Sequence, residues 1–272
     1  MVDKAALLGH PAAGSLWPQA VAALSRLLDR KVKYKVFDVE PGRFIEVATK
    51  LHKEEYIGAN VVMPHKRAAL SLAVSVSGEA RSIGAVNCLN WDKSDVKGHN
   101  IEALGFYDAL VDASFKARDS VCQILGAGCA ARAAAYALGR AGARQVRIWA
   151  RKPAQAETLA REIGVYWPNT IFSAGLDGPA ALWLNATPLG LEGYSDKPPI
   201  KALPGSVLVM DLSYGRATKF LALGAVARAR CLNGIPALVY QAIRGWELWF
   251  GPVGNPGRAV LKADVMRLKR WR

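Results

Sequence analysis

Only four of the 272 residues are cysteines, Cys88, Cys122, Cys129 and Cys231, and no two form a Cys-x-x-Cys pair. Neither a disulfide framework nor a metal centre is therefore expected. Long apolar runs are also missing: no stretch of about 18 uncharged apolar residues could span a bilayer. The N-terminus, with Asp3 and Lys4 beside a short strand, lacks the layout of a signal peptide. Together these absences predict a cytoplasmic protein without a membrane partner. Acidic residues are in short supply, 22 against 36 Lys and Arg, for a net charge of +14, which calls for anionic partners or a solubility role. Nucleic acid is not the expected partner. Apart from the tail Arg267, Lys269, Arg270 and Arg272, the basic residues are spread along the chain, without the aromatic interleaving of a single-strand platform or a reader motif.

What is present is enough to fold. The chain is 51% hydrophobic and long enough for one large or two modest domains. Its first hundred residues alternate short apolar strands (5–9, 34–39, 59–63) with amphipathic helices (15–30, 41–52 and a stretch from His65), the pattern of a parallel sheet with crossover helices. Pro18 suits a first helical turn, with Ser15 available as its cap. Residues 86–91 and 96–99 read as a hairpin around Asp92-Lys93-Ser94-Asp95. A helix from Ile101, a polar break at 116–120 and four further strands (121–125, 145–150, 181–185, 207–211) make a second array, with a helix at 154–163. Two helices, 238–250 and 257–272, close the chain. Two α/β lobes with a ligand-binding cleft between them fit this layout.

Within the second array, Val121-Cys122-Gln123-Ile124-Leu125 runs into Gly126-Ala127-Gly128-Cys129-Ala130-Ala131 and an Ala-rich helix. The first glycine allows the tight turn, the second lets the backbone approach a pyrophosphate, and small Ala131 lets helix and strand pack closely. The helix N-terminus then offers its free N–H groups to phosphate. In an NAD site an acid at the end of the next strand binds the ribose hydroxyls. Here that end is Ala150-Arg151-Lys152-Pro153, with no acid and two cations, which points to the 2′-phosphate of NADP.

Several side chains suit catalysis or recognition. Lys66 follows a strand's carboxyl end, where open α/β sheets place ligands, and would exchange a proton with a substrate hydroxyl; His65 beside it is a competing acid or base, expected to point elsewhere. The amides of Asn87, Asn100 and Gln241 suit hydroxyl recognition, or else serve as turn and capping groups. Asn185-Ala186-Thr187-Pro188 ends a strand where it would border a nicotinamide, and Asp211 and Tyr214 hold the same place after the following strand.

In order along the chain, these segments resemble the shikimate dehydrogenase family. The motifs are Gly9 to Pro18, Asn60 to Lys66, Gly84-Ala85-Val86-Asn87, Gly98 to Gly105, Gly126 to Ala130, Ala150 to Lys152, Asn185 to Gly190, Asp211 to Tyr214 and Gln241-Ala242. The resemblance implies an α/β, two-lobed protein: an N-terminal parallel-sheet substrate lobe (1–101), a Rossmann NADP lobe (102–237), and C-terminal helices (238–272) returning to the first lobe. It implies a monomer or homodimer serving aromatic amino acid biosynthesis by reversible hydride transfer between NADPH and a cyclic oxo or hydroxy acid. Lys66 would be the acid/base, paired with Glu102. Ser15 would bind the substrate carboxylate and Asn87 and Gln241 its hydroxyls, with Trp17, Val62, Ile101 and Tyr214 also against the substrate. Gly126, Ala127, Gly128, Cys129, Ala130, Ala150, Arg151, Lys152, Asn185, Thr187 and Pro188 would hold the cofactor.

Four positions depart from the family pattern: Trp17 replaces a serine, Val62 and Ile101 replace threonines, and Glu102 replaces an aspartate. Three hydroxyls are lost, each worth on the order of 1 kcal/mol to a polar ligand. Shikimate itself is therefore expected to be a poor substrate. The alternatives left open are a divergent member with a bulkier or less hydroxylated substrate and a dinucleotide-binding regulator without turnover.

Overall fold

The computed structural model describes residues 2–92, 95–191, 193–214 and 218–253. The helix expected at 257–272, and Lys93 and Ser94 of the hairpin turn, lie outside the described residues.

The first sheet is built from β1 (Asp3–Gly9), β2 (Val32–Asp38), β3 (Gly58–Val61), β4 (Ser75–Val76), β5 (Cys88–Trp91) and β6 (Val96–His99). Their spatial order is β2-β1-β3-β5-β6-β4. Strands β2, β1 and β3 are parallel. The hairpin then makes the sheet mixed, because β5 must run antiparallel to both β3 and β6. Helices α1 (Trp17–Leu27), α2 (Phe44–Lys53), α3 (Lys66–Leu72) and α4 (Gly78–Ile83) connect these strands. On one face Ala6, Leu8, Ala59 and Val61 pack against Phe44, Ala48 and Leu51 of α2. Helix α1 buries Trp17, Ala20, Val21 and Leu24, the spacing of a one-sided helical stripe. Pro18 stands in its first turn as expected, but Ser15 is not the cap: the N-cap is Leu16, without a side-chain bond, and Ser15 Oγ accepts only the Trp17 N–H, at 3.4 Å.

The second sheet contains β7 (Val121–Leu125), β8 (Gln145–Trp149), β9 (Ile171–Ala174), β10 (Leu182–Asn185), β11 (Leu208–Asp211) and β12 (Arg230–Leu232). All its pairings are parallel, in the order β12-β11-β10-β7-β8-β9. This is the doubly wound dinucleotide-binding topology, with its switch point between β7 and β10. Helix α5 (Ile101–Asp112) enters the array, and α6 (Cys129–Arg140), α7 (Pro153–Gly164) and α8 (Lys219–Val226) serve it. Helix α6 buries a run of alanines, including Ala131, Ala134 and Ala135, whose methyls let it lie close to the strands. The last described element is α9 (Ile235–Phe250).

Contacts divide the chain into two compact units. One takes the described residues up to Gly105 together with those from Leu238 onward; Phe106–Ala237 form the other. In the first unit α9 covers the sheet face opposite α2, through positions four residues apart. Trp249 lies against Gly58, where a Cβ would fall 2.3 Å from its Nε1, and Gly245 lies near the Asn60 amide. Among the described residues, no helix is long and apolar enough to cross a membrane.

Candidate functional site

In the first sheet the strand order reverses between β1 and β3, so the segments leaving their carboxyl ends line a switch point, where open α/β sheets bind ligands. One segment is Gly9 to Ser15 and the other Val62 to Lys66. They are tied together: His10 N–H donates to Met63 O at 2.9 Å, and a Cβ at Gly9 would strike Val62 Cγ2. Lys66 opens α3. Its Nζ donates to Glu102 Oε2 at 2.7 Å, with the two side chains only 11% and 15% exposed.

Glu102 sits in the first turn of α5, where the helix dipole favours a carboxylate. Asn100 fixes that turn: its Oδ1 accepts the Ala103 N–H at 3.2 Å and its Nδ2 donates to Ala85 O at 3.0 Å. It is therefore a cap, one of the two roles open to it from sequence. The longer side chain of glutamate thus does not prevent the ion pair. Lys66 O accepts Val86 N–H, and Asn87 O accepts Val61 N–H, both at 2.9 Å. The Asn87 side chain bridges the rest: Oδ1 accepts Ile101 N–H at 2.8 Å, and Nδ2 donates to Gln241 Oε1 at 3.4 Å.

His65 is turned into the core, away from Lys66. It is buried, its Nε2 lies 2.6 Å from Val39 O, and its ring stacks on Phe44 at 4.9 Å. Trp17 is 4% exposed and belongs to the core face of α1, and Ile101 is buried with its Cδ1 near Gly245. Val62 and Ser15 are half-buried. Asn60, which the sequence offered only as part of a motif, is completely buried. Its Oδ1 accepts the Tyr34 hydroxyl at 2.8 Å, and its Nδ2 has no partner. The available signal was a lone amide inside the otherwise apolar run Ala59 to Met63.

In the second unit the glycine turn fits a dinucleotide pyrophosphate. Gly126 has φ +116°, and a Cβ there would fall 2.8 Å from Ala186 O, so the turn needs glycine for both conformation and room. Gly128 is the N-cap of α6 and supplies no capping side chain. Gly128 is exposed, and a Cβ there would meet nothing within 4 Å, so the chain entering α6 leaves room beside a helix N-terminus, where an anion is favoured. Ala127, Cys129 and Ala130 are half-buried around the turn. Ala150 is buried, while Arg151 and Lys152 are exposed at the end of β8.

Asn185 is completely buried. It donates to Asp211 Oδ1 and Leu189 O, and accepts Thr187 N–H and hydroxyl. It thereby shapes the loop rather than presenting its own amide outward. Thr187 is half-buried in that loop and Pro188 exposed, and Tyr214, half-buried, follows β11. Gly128→Val is expected to leave stability within about 0.5 kcal/mol and weaken NADPH binding by about two orders of magnitude, roughly 3 kcal/mol. Thermal melts beside a fluorescence titration check both halves.

Residues 7–89 match the family model for the shikimate dehydrogenase substrate binding domain. A shikimate dehydrogenase (NADP(+)) of Methanopyrus kandleri, strain AV19, is 34% identical over 272 aligned residues, covering 94% of this chain and 94% of that protein. The chain belongs to the shikimate dehydrogenase family. Shikimate 5-dehydrogenase from Thermus thermophilus, solved in complex with NADP(H) and shikimate, superposes with a TM-score of 0.85 at 31% identity, covering 98% of this chain and 99% of that one. The ligand-free 5-ketofructose reductase of Gluconobacter sp. strain CHM43 superposes with a TM-score of 0.82 at 26% identity, covering 98% and 99%. Among its structural neighbours, then, the shikimate dehydrogenase fold also serves a reductase named for a different substrate.

Proposed function

We propose that this chain is an NADP-dependent dehydrogenase that interconverts a ring-bound alcohol and ketone on a cyclic acid of the shikimate class. The Lys66–Glu102 pair at 2.7 Å carries the proposal, because it puts a proton-exchanging group at a switch point beside two hydroxyl-recognising amides. Bound NADP+ supplies a hydride acceptor. As the alcohol is oxidised the neutral Lys66 amine takes the hydroxyl proton and becomes the ammonium that Glu102 holds and orients, and in reduction that ammonium returns the proton to the new alkoxide. Asn87 and Gln241 donate to and accept from ring hydroxyls, and Ser15, at the start of α1, meets the carboxylate.

The substrate assignment falls on the unit that ends at Gly105 and resumes at Leu238, and the cofactor assignment on Phe106–Ala237. The α6 N-terminus and Gly128 would receive the pyrophosphate, with Ala127, Cys129 and Ala130 beside it. Thr187 and Pro188, on the loop braced by Asn185, would border the nicotinamide, and Arg151 and Lys152 the 2′-phosphate beside Ala150. We place this activity in the cytoplasm.

NADPH is expected to bind more tightly than NADH. Arg151→Ala should narrow the gap by about 1 to 3 kcal/mol, the loss of a charge-assisted phosphate contact. Equal affinities in parallel titrations of the unmodified protein would exclude NADP selectivity.

A second reading concerns the substrate alone. Half-buried Val62, beside the Gly9 turn, gives the site an apolar side, with Ile101 buried behind it, and this favours a ring acid with fewer hydroxyls than shikimate.

A further inference from the structure

The amides of the substrate site have a second layer behind them. In the first sheet Tyr34 of the edge strand β2 pairs with Ala5 of β1, and Ala5 with Gly58 of β3. One row further on, Asn60 pairs with Leu7 and, on its other side, with Cys88. Directly paired residues point to the same face of a sheet, so Tyr34, Asn60 and Cys88 share the face that α9 covers. Ala5 stands between Tyr34 and Asn60, and its single methyl lets the phenol reach across β1. The hydroxyl donates to Asn60 Oδ1 at 2.8 Å and makes no other hydrogen bond among the described residues. Burial raises its pKa well above the usual phenol value, which keeps it a neutral donor.

An amide presents an acceptor at one end and donors at the other. If the Asn60 side chain turned over, the phenol would become an acceptor and its own proton would lose this oxygen, at the cost of an unmet buried group. With Oδ1 held by Tyr34, the opposite end of the amide faces α9. There a Cβ on residue 245 would lie 3.5 Å from Nδ2, and the residue is glycine. Nδ2 is buried without a partner, a condition that buried polar groups rarely keep. Gln241 lies one helical turn before Gly245, and Asn87 adjoins Cys88, the strand partner of Asn60. The donor thus lies on the α9 side of the sheet, one helical turn from Gln241 and one residue over from Asn87.

We propose that Tyr34 is a positioning residue: it fixes the Asn60 amide so that Nδ2 donates to an oxygen of the ring acid that Asn87 and Gln241 also hold. The inference rests on the ring-acid reading of the site.

Tyr34→Phe removes the hydroxyl and keeps the ring. KM for the best ring-acid substrate is expected to rise about tenfold, with kcat changed less than about threefold and KM for NADP+ unchanged. Asn60→Ala should raise the same KM at least as much. Adding Tyr34→Phe to Asn60→Ala should change it no further, because the two residues act through one contact. A Tyr34→Phe protein with a lowered Tm and an unchanged KM overturns the proposal, as do effects on KM that simply add.

A binding readout separates this proposal from the enzymatic one. In ¹⁵N-labelled protein the Asn60 side-chain amide signals should shift when shikimate is added to saturation, and Tyr34→Phe should abolish the shift. If that holds while the unmodified protein oxidises no ring acid, the catalytic reading fails and the positioning role stands. If ring acids are oxidised and the amide does not move, or moves equally in both proteins, the positioning role fails.

Discussion

Lys66→Ala is expected to cut ring-acid oxidation by about two to four orders of magnitude at every pH while NADPH affinity stays at the unmodified value. Lys66 and Glu102 belong to the first unit and the glycine turn to the second, so cofactor affinity and proton transfer rest on different residues. Loss of a positioned acid/base costs about 10²- to 10⁴-fold in kcat. The substitution also leaves Glu102, only 15% exposed, without its cation, and an uncompensated buried charge destabilises by about 3 to 5 kcal/mol at full burial. The double variant Lys66→Ala with Glu102→Ala should therefore recover stability without recovering turnover, which separates catalysis from folding. Normal kcat in either variant would remove Lys66 from the mechanism. His65 is a poor replacement, buried with its Nε2 against Val39 O and its ring stacked on Phe44.

The second large effect concerns the polar side of the substrate site. Val62→Thr, Ile101→Thr and Glu102→Asp, made together, should raise kcat/KM for shikimate by more than the product of the single changes. All three residues lie on segments joined through Asn87, which binds the Ile101 N–H with its side chain and the Val61 N–H with its backbone, and neighbouring substitutions couple. Trp17 behaves differently. Its burial in the α1 stripe means that Trp17→Ser opens a cavity and costs about 3 to 5 kcal/mol of stability, the scale of emptying a large core site. It is therefore tested by thermal melting rather than included in the triple variant. Additive or absent gains in the triple variant would show that these positions do not set substrate choice.

The cofactor side was the most legible in sequence, because its requirements are local. A five-residue strand that is apolar apart from Gln123, a turn needing glycine and an alanine helix are all set by neighbours along the chain. Their strand–turn–helix appears as β7 and α6. The helix expected at 238–250 was legible for the same reason and appears within α9 (Ile235–Phe250), although what it covers was not. Helix α4, at six residues, is too short to show a helical period in the sequence, despite its Ser77 cap and the αL residue Gly84 at its end. Strands β4, β9 and β12 are two to four residues long and partly exposed, too short for a clear alternating pattern.

The contacts that assemble the substrate site are long-range. Lys66 meets Glu102 and Asn87 meets Gln241 across 36 and 154 positions, which motifs can suggest and only folding can bring together. Trp17 shows the limit from the other side. Its place in a ligand-binding motif suggested a side chain lining the substrate, yet the helical stripe turns it into the core.

Initial rates of NADP+ reduction by the unmodified protein, measured with shikimate and with ring hydroxy acids carrying fewer hydroxyls, test the central claim most directly. At least one ring acid should be oxidised, with shikimate below the ordinary enzyme efficiency of about 10⁴ M⁻¹s⁻¹. Tight NADPH binding with no NADP+ reduction by any of them would contradict the claim and leave a dinucleotide-binding regulator in its place.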